Sequence, residues 1–134
     1  MMACIFCMIA NKEIPGKVVY EDDLCLAFLD LSQATYGHTL VVPKQHVTNI
    51  LEADPKLAGH LFEVVTMLSQ KITKALNASG CNILSNAGEI AGQTVMHFHI
   101  HIIPRYENEN GFTMNFENNQ DKYDLDQIVQ QINQ

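Results

Sequence analysis

The sequence predicts an α+β domain with a mostly antiparallel sheet, and three observations support this fold class. Short β-rich runs, separated by turn residues, lie on both sides of one long segment whose apolar residues recur with a period near 3.6. The chain has 134 residues, which is the length of a single domain. Hydrophobic residues make up 47% and charged residues 17%, a balance that excludes a disordered chain or a disulfide-dense miniprotein.

The N-terminal part predicts three strands after a short apolar segment at residues 4–10. The predicted strands comprise residues 18–20, 24–29 and 38–42. Residues 21–23 supply a turn between the first two strands. Pro43 ends the third strand, because proline cannot donate to the hydrogen-bond ladder of a sheet.

The rest of the chain predicts one long helix, two strands and a short final helix. Asp54 and Pro55 indicate the helix start, since aspartate caps free amides and proline suits the first helical position. The apolar stripe of this helix comprises Leu57, Leu61, Val64, Val65, Leu68, Ile72 and Leu76. Gly80 is expected to end the helix, and His60 lies off the stripe and is expected to be solvated. The two strands comprise residues 81–84 and 95–103, and the final helix contains Leu125, Ile128, Val129 and Ile132.

Charge and hydropathy exclude several classes of partner. Fifteen acidic and eight basic residues give a net charge of -7, which disfavours nucleic acids and anionic membranes but not a small anion in one local pocket. The sequence has no apolar run long enough to span a membrane and no basic segment typical of a signal peptide, so we expect a cytoplasmic protein. In that reducing compartment the cysteines are expected to be thiols or metal ligands. They are Cys4, Cys7, Cys25 and Cys81, of which the last two read as small buried hydrophobes.

The densest group of chemically active side chains is the run His-Phe-His-Ile-His-Ile-Ile at residues 97–103. Side chains alternate between the two faces of a strand, so the three histidines are expected on one face, about 6.5–7 Å apart. Phe98, Ile100 and Ile102 then face the other way, toward a core.

Three aligned imidazoles are suited to two kinds of chemistry. Neutral imidazole is the commonest metal ligand. It is also a nucleophile near neutral pH, while a protonated neighbour donates to phosphate oxygens. Because adjacent imidazolium ions repel one another, we expect a mixture of protonation states along the row. The alternative is a polar strand face with incidental histidines.

The histidine row resembles the signature of the histidine triad (HIT) family of nucleotide hydrolases and transferases, and Pro104-Arg105 continues it as in bacterial members. Further motifs occur in the order of the family. They are Cys4-Ile5-Phe6-Cys7, Glu13-Ile14-Pro15, Tyr20-Glu21-Asp22-Asp23, Ala27-Phe28-Leu29-Asp30, the run from Gly37 to His46, and Gly92-Gln93-Thr94-Val95. The resemblance covers residues 4–105 and is strongest to the Hint-like branch.

The resemblance implies a HIT-like fold: an antiparallel five-stranded sheet with one long helix and a C-terminal helix. It implies a single domain over residues 1–134, with a core at residues 1–106 and a variable tail at residues 107–134. It also implies a homodimer whose sheets join into one of ten strands, with the long helix and the following strand at the interface.

For function, the resemblance implies cleavage at the α-phosphate of purine nucleoside phosphoramidates or dinucleoside polyphosphates. His99 would be the nucleophile and would form a nucleotidyl-histidine intermediate that water hydrolyses, which splits one difficult displacement into two easier ones. His101 would contact the phosphate and help to protonate the leaving group. His97 would orient the site, and His38 matches a further histidine of the family, although a packed core histidine is the alternative for His38.

The resemblance also implies residues that hold a purine nucleotide such as AMP or GMP. They are Ile5, Phe6, Ile9, Phe28, Asp30, Leu31, Leu40, Asn86, Gly92, Gln93, Thr94, Val95, His99 and His101. In the loop at residues 85–94, glycines let backbone amides approach phosphate, although alone the loop would read as a turn. Asp30 would accept hydrogen bonds from the ribose hydroxyls, the alternative being a turn cap. The apolar members would otherwise read as ordinary core residues.

Cys4 and Cys7 have the spacing of a metal-ligand pair but supply only two ligands. By the resemblance, His46 and His97 would complete a tetrahedral zinc site, as in some bacterial relatives. Many members of the family lack these cysteines, so the zinc would be structural, would fix the N-terminal segment to the sheet, and would not be required for the chemistry. The alternatives are two metal-free thiols and a redox dithiol, which is disfavoured because the pair is not expected at a helix start after a strand.

Three functions therefore remain open at this point: a nucleotide hydrolase, a nucleotide sensor with little turnover, and a zinc-dependent interaction protein. The complete triad favours the hydrolase, because binding alone requires no correctly placed nucleophile.

Overall fold

A computed structural model describes residues 4–134 as an α+β fold with one five-stranded antiparallel sheet, as predicted. The helices are α1 (Ile5–Ala10), α2 (Pro55–Ala75) and α3 (Leu125–Ile132). The strands are β1 (Val18–Glu21), β2 (Cys25–Leu29), β3 (Thr39–Pro43), β4 (Gly80–Leu84) and β5 (Ile100–Arg105). None of the helices within these residues combines the length and apolar character needed to cross a membrane.

The strand order in the sheet is β1-β2-β3-β5-β4, and every neighbouring pair is antiparallel. Strand β5 therefore lies between β3 and β4, where His101 is opposite Leu40 on one side and Leu84 on the other. This register places His101 inside the sheet, with His97 and His99 just before the start of β5, and it leaves β4 at an edge.

Apolar side chains form two core clusters on opposite faces of the sheet. The stripe of α2 packs against alternate residues of the central strands, among them Val41, Ile100 and Ile102. On the other face, Phe6 and Ile9 of α1 pack against the intervening residues of β2 and β3, because successive side chains of a strand point to opposite faces. Helix α2 thus covers one face, and α1 covers part of the face that carries the histidines.

Helix α2 begins as predicted but ends earlier than expected. The Asp54 carboxylate accepts a hydrogen bond from the amide of Lys56 at 2.8 Å, which caps the first turn. The helix ends at Ala75 because Asn77 adopts a left-handed conformation with a φ of 57°, which asparagine tolerates. Gly80 is consequently the first residue of β4, and the prediction that it ends the helix is wrong.

Strand β5 begins at Ile100 rather than at residue 95, because the preceding residues bond to loops. The amide of Phe98 donates to the carbonyl of Val47 at 2.7 Å, and the Ser85 hydroxyl donates to the carbonyl of His99 at 2.6 Å. The predicted alternation of side chains nevertheless holds, since Phe98 and Ile100 are fully buried in the core beneath α2.

His60 is not solvated as predicted; it connects α2 to the turn between β1 and β2. Its Nε2 donates to Asp22 Oδ2 at 2.7 Å, and the Tyr20 hydroxyl donates to the same oxygen at 2.8 Å. The other carboxylate oxygen of Asp22 accepts the amides of Leu24 and Cys25, both at 2.8 Å. Burial opposes ionisation of Asp22, but these four hydrogen bonds outweigh burial and hold the pKa of Asp22 well below its usual range.

We expect Asp22→Asn to lower the free energy of unfolding by about 1–2 kcal/mol at pH 7, because an amide cannot accept charge-assisted hydrogen bonds. A lowered pKa in the folded state stabilises the fold above the unfolded-state pKa of about 3.9, and this stabilisation is lost as the pH falls below that value. Urea denaturation of the unmodified protein and of Asp22→Asn should therefore show that their difference in free energy of unfolding becomes smaller from pH 7 to pH 3. The exposed neighbour provides the control: Asp23→Asn should cost much less at pH 7. A difference for Asp22→Asn that is constant with pH would contradict this account.

Candidate active site

A cavity of about 390 Å³ lies on the face of the sheet opposite α2. It brings together all but one of the residues predicted to hold a nucleotide. The members that line it are Ile5, Phe6, Ile9, Phe28, Asp30, Leu31, Leu40, Asn86, Gly92, Thr94, Val95, His99 and His101. Their distribution gives the cavity an apolar end formed by α1 and β2 and a polar end formed by the histidines and the loop at residues 85–94.

The side chain of Gln93 does not line this cavity. It is buried, and its amide group holds the loop together instead. Its oxygen accepts hydrogen bonds from the Gly88 amide at 2.9 Å and from Asn49 at 3.1 Å, and its nitrogen donates to the carbonyl of Thr48 at 2.6 Å and to that of Val95 at 3.0 Å. Gln93 therefore fixes the conformation of the loop through these hydrogen bonds, without facing the cavity.

The loop itself depends on glycines with positive φ. Gly88 and Gly92 have φ angles of 96° and 98°, which residues with a β-carbon rarely adopt. The Asn86 side chain donates to the carbonyl of Gly92 at 3.4 Å, and it lines the polar end of the cavity. The loop thus presents an asparagine and a glycine backbone next to His99.

A hydrogen bond to the backbone determines which ring nitrogen of His99 carries the proton. Its Nδ1 lies 2.7 Å from the carbonyl oxygen of His97, and since a carbonyl only accepts, Nδ1 carries the proton. The lone pair is therefore on Nε2, and the ring lines the cavity. Phe6 packs edge-on against this ring at a centroid distance of 5.1 Å.

His101 is oriented in the opposite sense by a chain of hydrogen bonds through His38. The amide of Ala34 donates to His38 Nδ1 at 3.1 Å, so the proton of His38 is on Nε2. That Nε2 donates to His101 Nδ1 at 2.9 Å, which leaves His101 with its proton on Nε2. Asp30 Oδ2 lies 3.7 Å from His38 Nε2. Neighbouring imidazoles thus offer a lone pair on His99 and an N–H donor on His101.

The expected mixture of protonation states is not what the site shows. Burial lowers the pKa of His97, His99 and His38, and burial together with the neighbouring imidazoles lowers the pKa of His101 to about 4. All four rings are mainly uncharged at neutral pH, because burial penalises the charged form of each one. The roles of acceptor and donor are therefore divided by tautomer rather than by charge.

Sequence reasoning missed several residues of the cavity. The additional lining residues are Pro15, Gly16, Lys17, Leu29 and Ser32. The Glu13-Ile14-Pro15 motif contains one of them and immediately precedes two more, so the position of this motif was a usable signal. Gly16 packs closely on α1, where an added β-carbon would lie 2.9 Å from Ile9 Cγ2.

A second cluster, Cys4, Cys7, His46 and His97, lies behind the histidine row. His97 Nδ1 is 3.3 Å from Cys4 Sγ and 3.5 Å from Cys7 Sγ. His46 Nδ1 is 3.3 Å from Cys7 Sγ and 3.1 Å from His97 Nδ1. His97 Nε2 donates to the carbonyl of Pro43 at 2.9 Å, so the unprotonated Nδ1 faces the two sulfurs.

These four residues fit a tetrahedral zinc ion. Bond lengths of about 2.3 Å to sulfur and about 2.0–2.1 Å to nitrogen place neighbouring ligand atoms about 3.3–3.8 Å apart in a tetrahedron. Four of the six distances between these ligand atoms lie between 3.1 and 3.5 Å, and all six lie within 4.8 Å, so a small adjustment of the side chains would meet this requirement. The hydrogen bond from His97 to Pro43 also supplies the outer partner that a ligating histidine usually has.

The cysteine pair lies at the start of helix α1, but within the described residues no strand precedes this helix, so the pair is not at a helix start that follows a strand. Cys4 is the N-terminal cap, and its sulfur accepts the amide of Cys7 at 3.4 Å. Redox-active cysteines at helix starts have lowered pKa values. Here burial and the neighbouring Cys4 raise the pKa of Cys7 to about 11, which disfavours the redox dithiol.

Comparison with known proteins identifies the family and agrees with the fold. Residues 11–108 match the HIT domain model. The "Protein hit" of Bacillus subtilis is 46% identical over 132 residues, covering 96% of this chain and 91% of the relative. The chain belongs to the HIT family. A crystal structure of a HIT family member from Bacillus subtilis superposes with a TM-score of 0.94 at 44% identity, covering 98% of this chain and 96% of that one.

Other HIT relatives have named activities or ligands. The adenosine 5'-monophosphoramidase hnt1 of Schizosaccharomyces pombe is 40% identical over 110 residues, covering 82% of this chain and 80% of the relative. The adenylylsulfatase HINT3 of Arabidopsis thaliana is 41% identical over 106 residues, covering 79% of this chain and 54% of the relative. A zinc-bound histidine triad protein from Mycobacterium smegmatis superposes with a TM-score of 0.79 at 33% identity, covering 87% of this chain and 85% of that one.

Proposed function

We propose that this HIT protein is a nucleotide hydrolase that cleaves at the α-phosphate of purine nucleoside phosphoramidates or dinucleoside polyphosphates. The observation that carries the proposal is the pair of tautomers in the cavity, with a lone pair on His99 Nε2 beside an N–H on His101 Nε2. The relative in Schizosaccharomyces pombe named as an adenosine 5'-monophosphoramidase supports the substrate class.

In the first chemical step, His99 Nε2 attacks the α-phosphorus, and the bond from phosphorus to the leaving group breaks. The imidazole gains a positive charge, which its Nδ1–H shares with the carbonyl of His97 at 2.7 Å. The product is a nucleotidyl-histidine. Water then attacks the same phosphorus, and the bond from phosphorus to His99 Nε2 breaks. The mononucleotide leaves, the water gives up a proton to solvent, and His99 returns to its neutral starting state.

His101 serves the phosphate and the leaving group in this scheme. In the free protein the pKa of His101 is lowered to about 4, mainly because the ring is buried. His101 is therefore neutral and contacts the phosphate through its N–H. An adjacent anionic phosphate raises the proton affinity of an imidazole. When substrate is bound, the hydrogen-bonded pair of His38 and His101 can therefore take up one proton from solvent. His101 can then pass its Nε2 proton to the departing nitrogen or oxygen, which leaves the pair neutral again.

The other end of the cavity suits a purine nucleoside. Phe6 and Phe28 meet edge to face with ring centroids 5.4 Å apart, and with Ile9 they form an apolar wall against which a flat base can pack. Asp30 is half-buried between this wall and His38, and Oδ1 already accepts the amide of Ser32 at 2.8 Å. The carboxylate has further acceptor positions for the ribose hydroxyls.

The direct test is turnover of adenosine phosphoramidate by the purified chain, with release of AMP followed by chromatography. Rapid acid quench and intact-mass analysis should show a fraction of the protein heavier by one adenylyl group. Comparison with diadenosine polyphosphates and guanosine analogues would rank the substrates. AMP binding without turnover of any of these compounds would favour the alternative, a nucleotide sensor or interaction protein.

His38 is expected to support His101 rather than to touch the substrate. We expect His38→Ala to lower kcat about 10–100-fold, because His101 loses the donor that fixes its proton on Nε2. The variant His38→Gln, which keeps a side-chain N–H donor, should recover part of the activity. Steady-state kinetics and thermal melting of both variants check this. If His38→Ala and His38→Gln are both folded and have equal kcat values, His38 does not act by donating to His101.

We also propose that Cys4, Cys7, His46 and His97 bind one structural zinc ion. The tetrahedral fit of the four ligand atoms and the zinc-bound relative from Mycobacterium smegmatis support this proposal. The ion would cross-link α1 to the segments that follow β3 and precede β5, and it would take no part in the chemistry at His99.

We propose that two copies of the chain join along β4 into a ten-stranded sheet, with residues 1–106 as the core of each copy and residues 107–134 as a variable tail. Within residues 4–134, β4 pairs only with β5 and is therefore open on its other side. Ile83 of this strand and Phe62 of α2 are both 39% exposed, and the apolar face of α3 is exposed as well. Exposed apolar surface of this extent favours a partner.

Light scattering coupled to size-exclusion chromatography should give a mass of two chains at micromolar concentration. The variant Ile83→Lys should shift the mass toward one chain, because it places a charge at the shared edge. The control Val19→Lys, on the opposite edge strand, should stay a dimer. A mass of one chain for the unmodified protein at all concentrations would contradict the proposal.

A further inference from the structure

Helix α1 belongs to two sites at once. Cys4 and Cys7, at its start, contribute two of the four atoms of the Cys/His cluster. Ile5, Phe6 and Ile9, on the same short helix, line the apolar end of the cavity. We propose that Cys4 and Cys7 are positioning residues for nucleotide binding: Zn²⁺ held by the cluster fixes α1 against the sheet and so sets the shape of the base pocket. This inference rests on the proposed function.

Helix α1 needs such a fixture because it is short. It has only six residues, and isolated helices shorter than about 12–15 residues are marginal in water. Its intrinsic cap is a weak one, a sulfur accepting the amide of Cys7 at 3.4 Å. Apolar packing against Phe28 and Leu40 holds one face of the helix, but Ile5 is 49% exposed.

The cluster joins α1 to segments that are distant in sequence. Cys7 contacts His46, 39 residues further on, and His97, 90 residues further on. His46 is exposed and follows β3, whereas His97 is buried and precedes β5. A metal that closes such long loops removes much conformational freedom from the segment it holds. Loss of the ion would therefore increase the mobility of α1 before that of the sheet.

The nucleophile, by contrast, is also held by contacts that remain without the metal, although His97, whose carbonyl accepts the His99 proton, is itself a member of the cluster through Nδ1. The carbonyl of His97 that accepts the His99 proton belongs to a residue whose Nε2 donates to Pro43. The next amide, that of Phe98, donates to the carbonyl of Val47 at 2.7 Å, and the Phe98 ring is fully buried. Metal occupancy is consequently expected to change nucleotide affinity much more than the rate of the chemical step.

The experiment compares AMP binding by four proteins: the zinc-loaded chain, the same chain stripped with a chelator, Cys4→Ser/Cys7→Ser, and the control Cys81→Ser. Cys81 lies on β4 outside the cluster, so its replacement removes a thiol but no ligand. We expect the Kd for AMP, measured by calorimetry, to rise about tenfold in the stripped protein and in the double variant. Single-turnover rates at saturating adenosine phosphoramidate should stay within about threefold.

Two further readouts separate positioning from general loss of structure. Hydrogen exchange should quicken at residues 5–10 in the stripped protein while β3 and β5 stay protected. Re-adding Zn²⁺ should restore the Kd of the stripped chain but not that of the double variant.

An unchanged Kd for AMP after metal removal would overturn the inference while leaving the proposed function intact. The same holds if metal removal lowers both the affinity and the single-turnover rate and quickens hydrogen exchange throughout the sheet. A zinc-loaded chain that neither binds AMP nor turns over adenosine phosphoramidate would overturn both.

Discussion

Replacing His99 by alanine should lower the rate of AMP release from adenosine phosphoramidate by about 10⁴-fold or more, while AMP binding changes little. The proposed mechanism makes one bond to His99 Nε2, and without that atom the two-step route through a covalent intermediate is closed. Binding should persist because most of the apolar wall, Asp30 and the loop at residues 85–94 remain, although Phe6 loses its edge-on contact with this ring. Quenched-flow assays with the substrate and calorimetry with AMP measure the two effects.

The control is His60→Gln, which replaces a histidine on the other face of the sheet with a side chain that can still donate to Asp22. It should keep the rate of the unmodified protein. The adenylyl adduct should also disappear in His99→Ala and persist in His60→Gln. Turnover by His99→Ala within tenfold of the unmodified protein would remove the proposed nucleophile and, with it, the mechanism.

Local sequence signals predicted the fold well where the signal and the structure share a physical cause. The 3.6-residue periodicity of α2 reflects burial of one stripe, and Asp54 and Pro55 marked the true start of that helix. The end of α2 was misplaced because Asn77 takes the left-handed conformation that was expected of glycine. The start of β5 was misplaced because residues 97–99 bond to Val47 and Ser85, contacts that no local pattern records.

The candidate site shows the same division. Motif resemblance named 13 of the 18 residues that line the cavity, and the alternation of side chains anticipated that Phe98, Ile100 and Ile102 face the core on the other side. The protonation pattern could not be predicted from the row alone. It depends on burial, on the amide of Ala34 behind His38, and on the carbonyl of His97 behind His99. These are contacts of the folded backbone, so the sequence suggested charge where the structure uses tautomers.

The contact between His60 and Asp22 illustrates a further limit. The two residues are 38 positions apart, and neither lies in a pattern that pairs them. A histidine on the polar side of an amphipathic helix reads as solvated, and only the packing of α2 against the sheet brings it to the turn after β1. Side-chain pairs of this kind require the tertiary structure.

Phe98 carries the largest expected effect on stability. Its side chain is fully buried between α2 and the sheet, where it belongs to the same core cluster as Leu61 and Ile100. We expect Phe98→Ala to lower the free energy of unfolding by about 3–5 kcal/mol, because it removes apolar contacts and leaves a cavity. Phe98→Leu, which keeps most of the volume, should cost about 1 kcal/mol. Urea denaturation measures both, and Phe116→Ala, at a position 87% exposed, is the matched control with a cost near zero.

Phe98→Ala should also lower activity, because Phe98 lies between His97 and His99 in the chain. The carbonyl of His97 orients the imidazole of His99, the proposed nucleophile. The amide of Phe98 holds the chain to Val47, and its ring anchors the backbone from which the carbonyl of His97 faces His99 Nδ1. A void beneath this backbone would allow shifts of the imidazole, and displacements near 1 Å can cost up to about 10²-fold in rate. We therefore expect kcat of folded Phe98→Ala to fall about tenfold or more at a temperature where melting shows it folded. Phe98→Leu should keep nearly full activity. If Phe98→Ala were strongly destabilised yet fully active, the core would support the fold without aligning the histidines, and the apolar half of the histidine row would have no part in positioning His99.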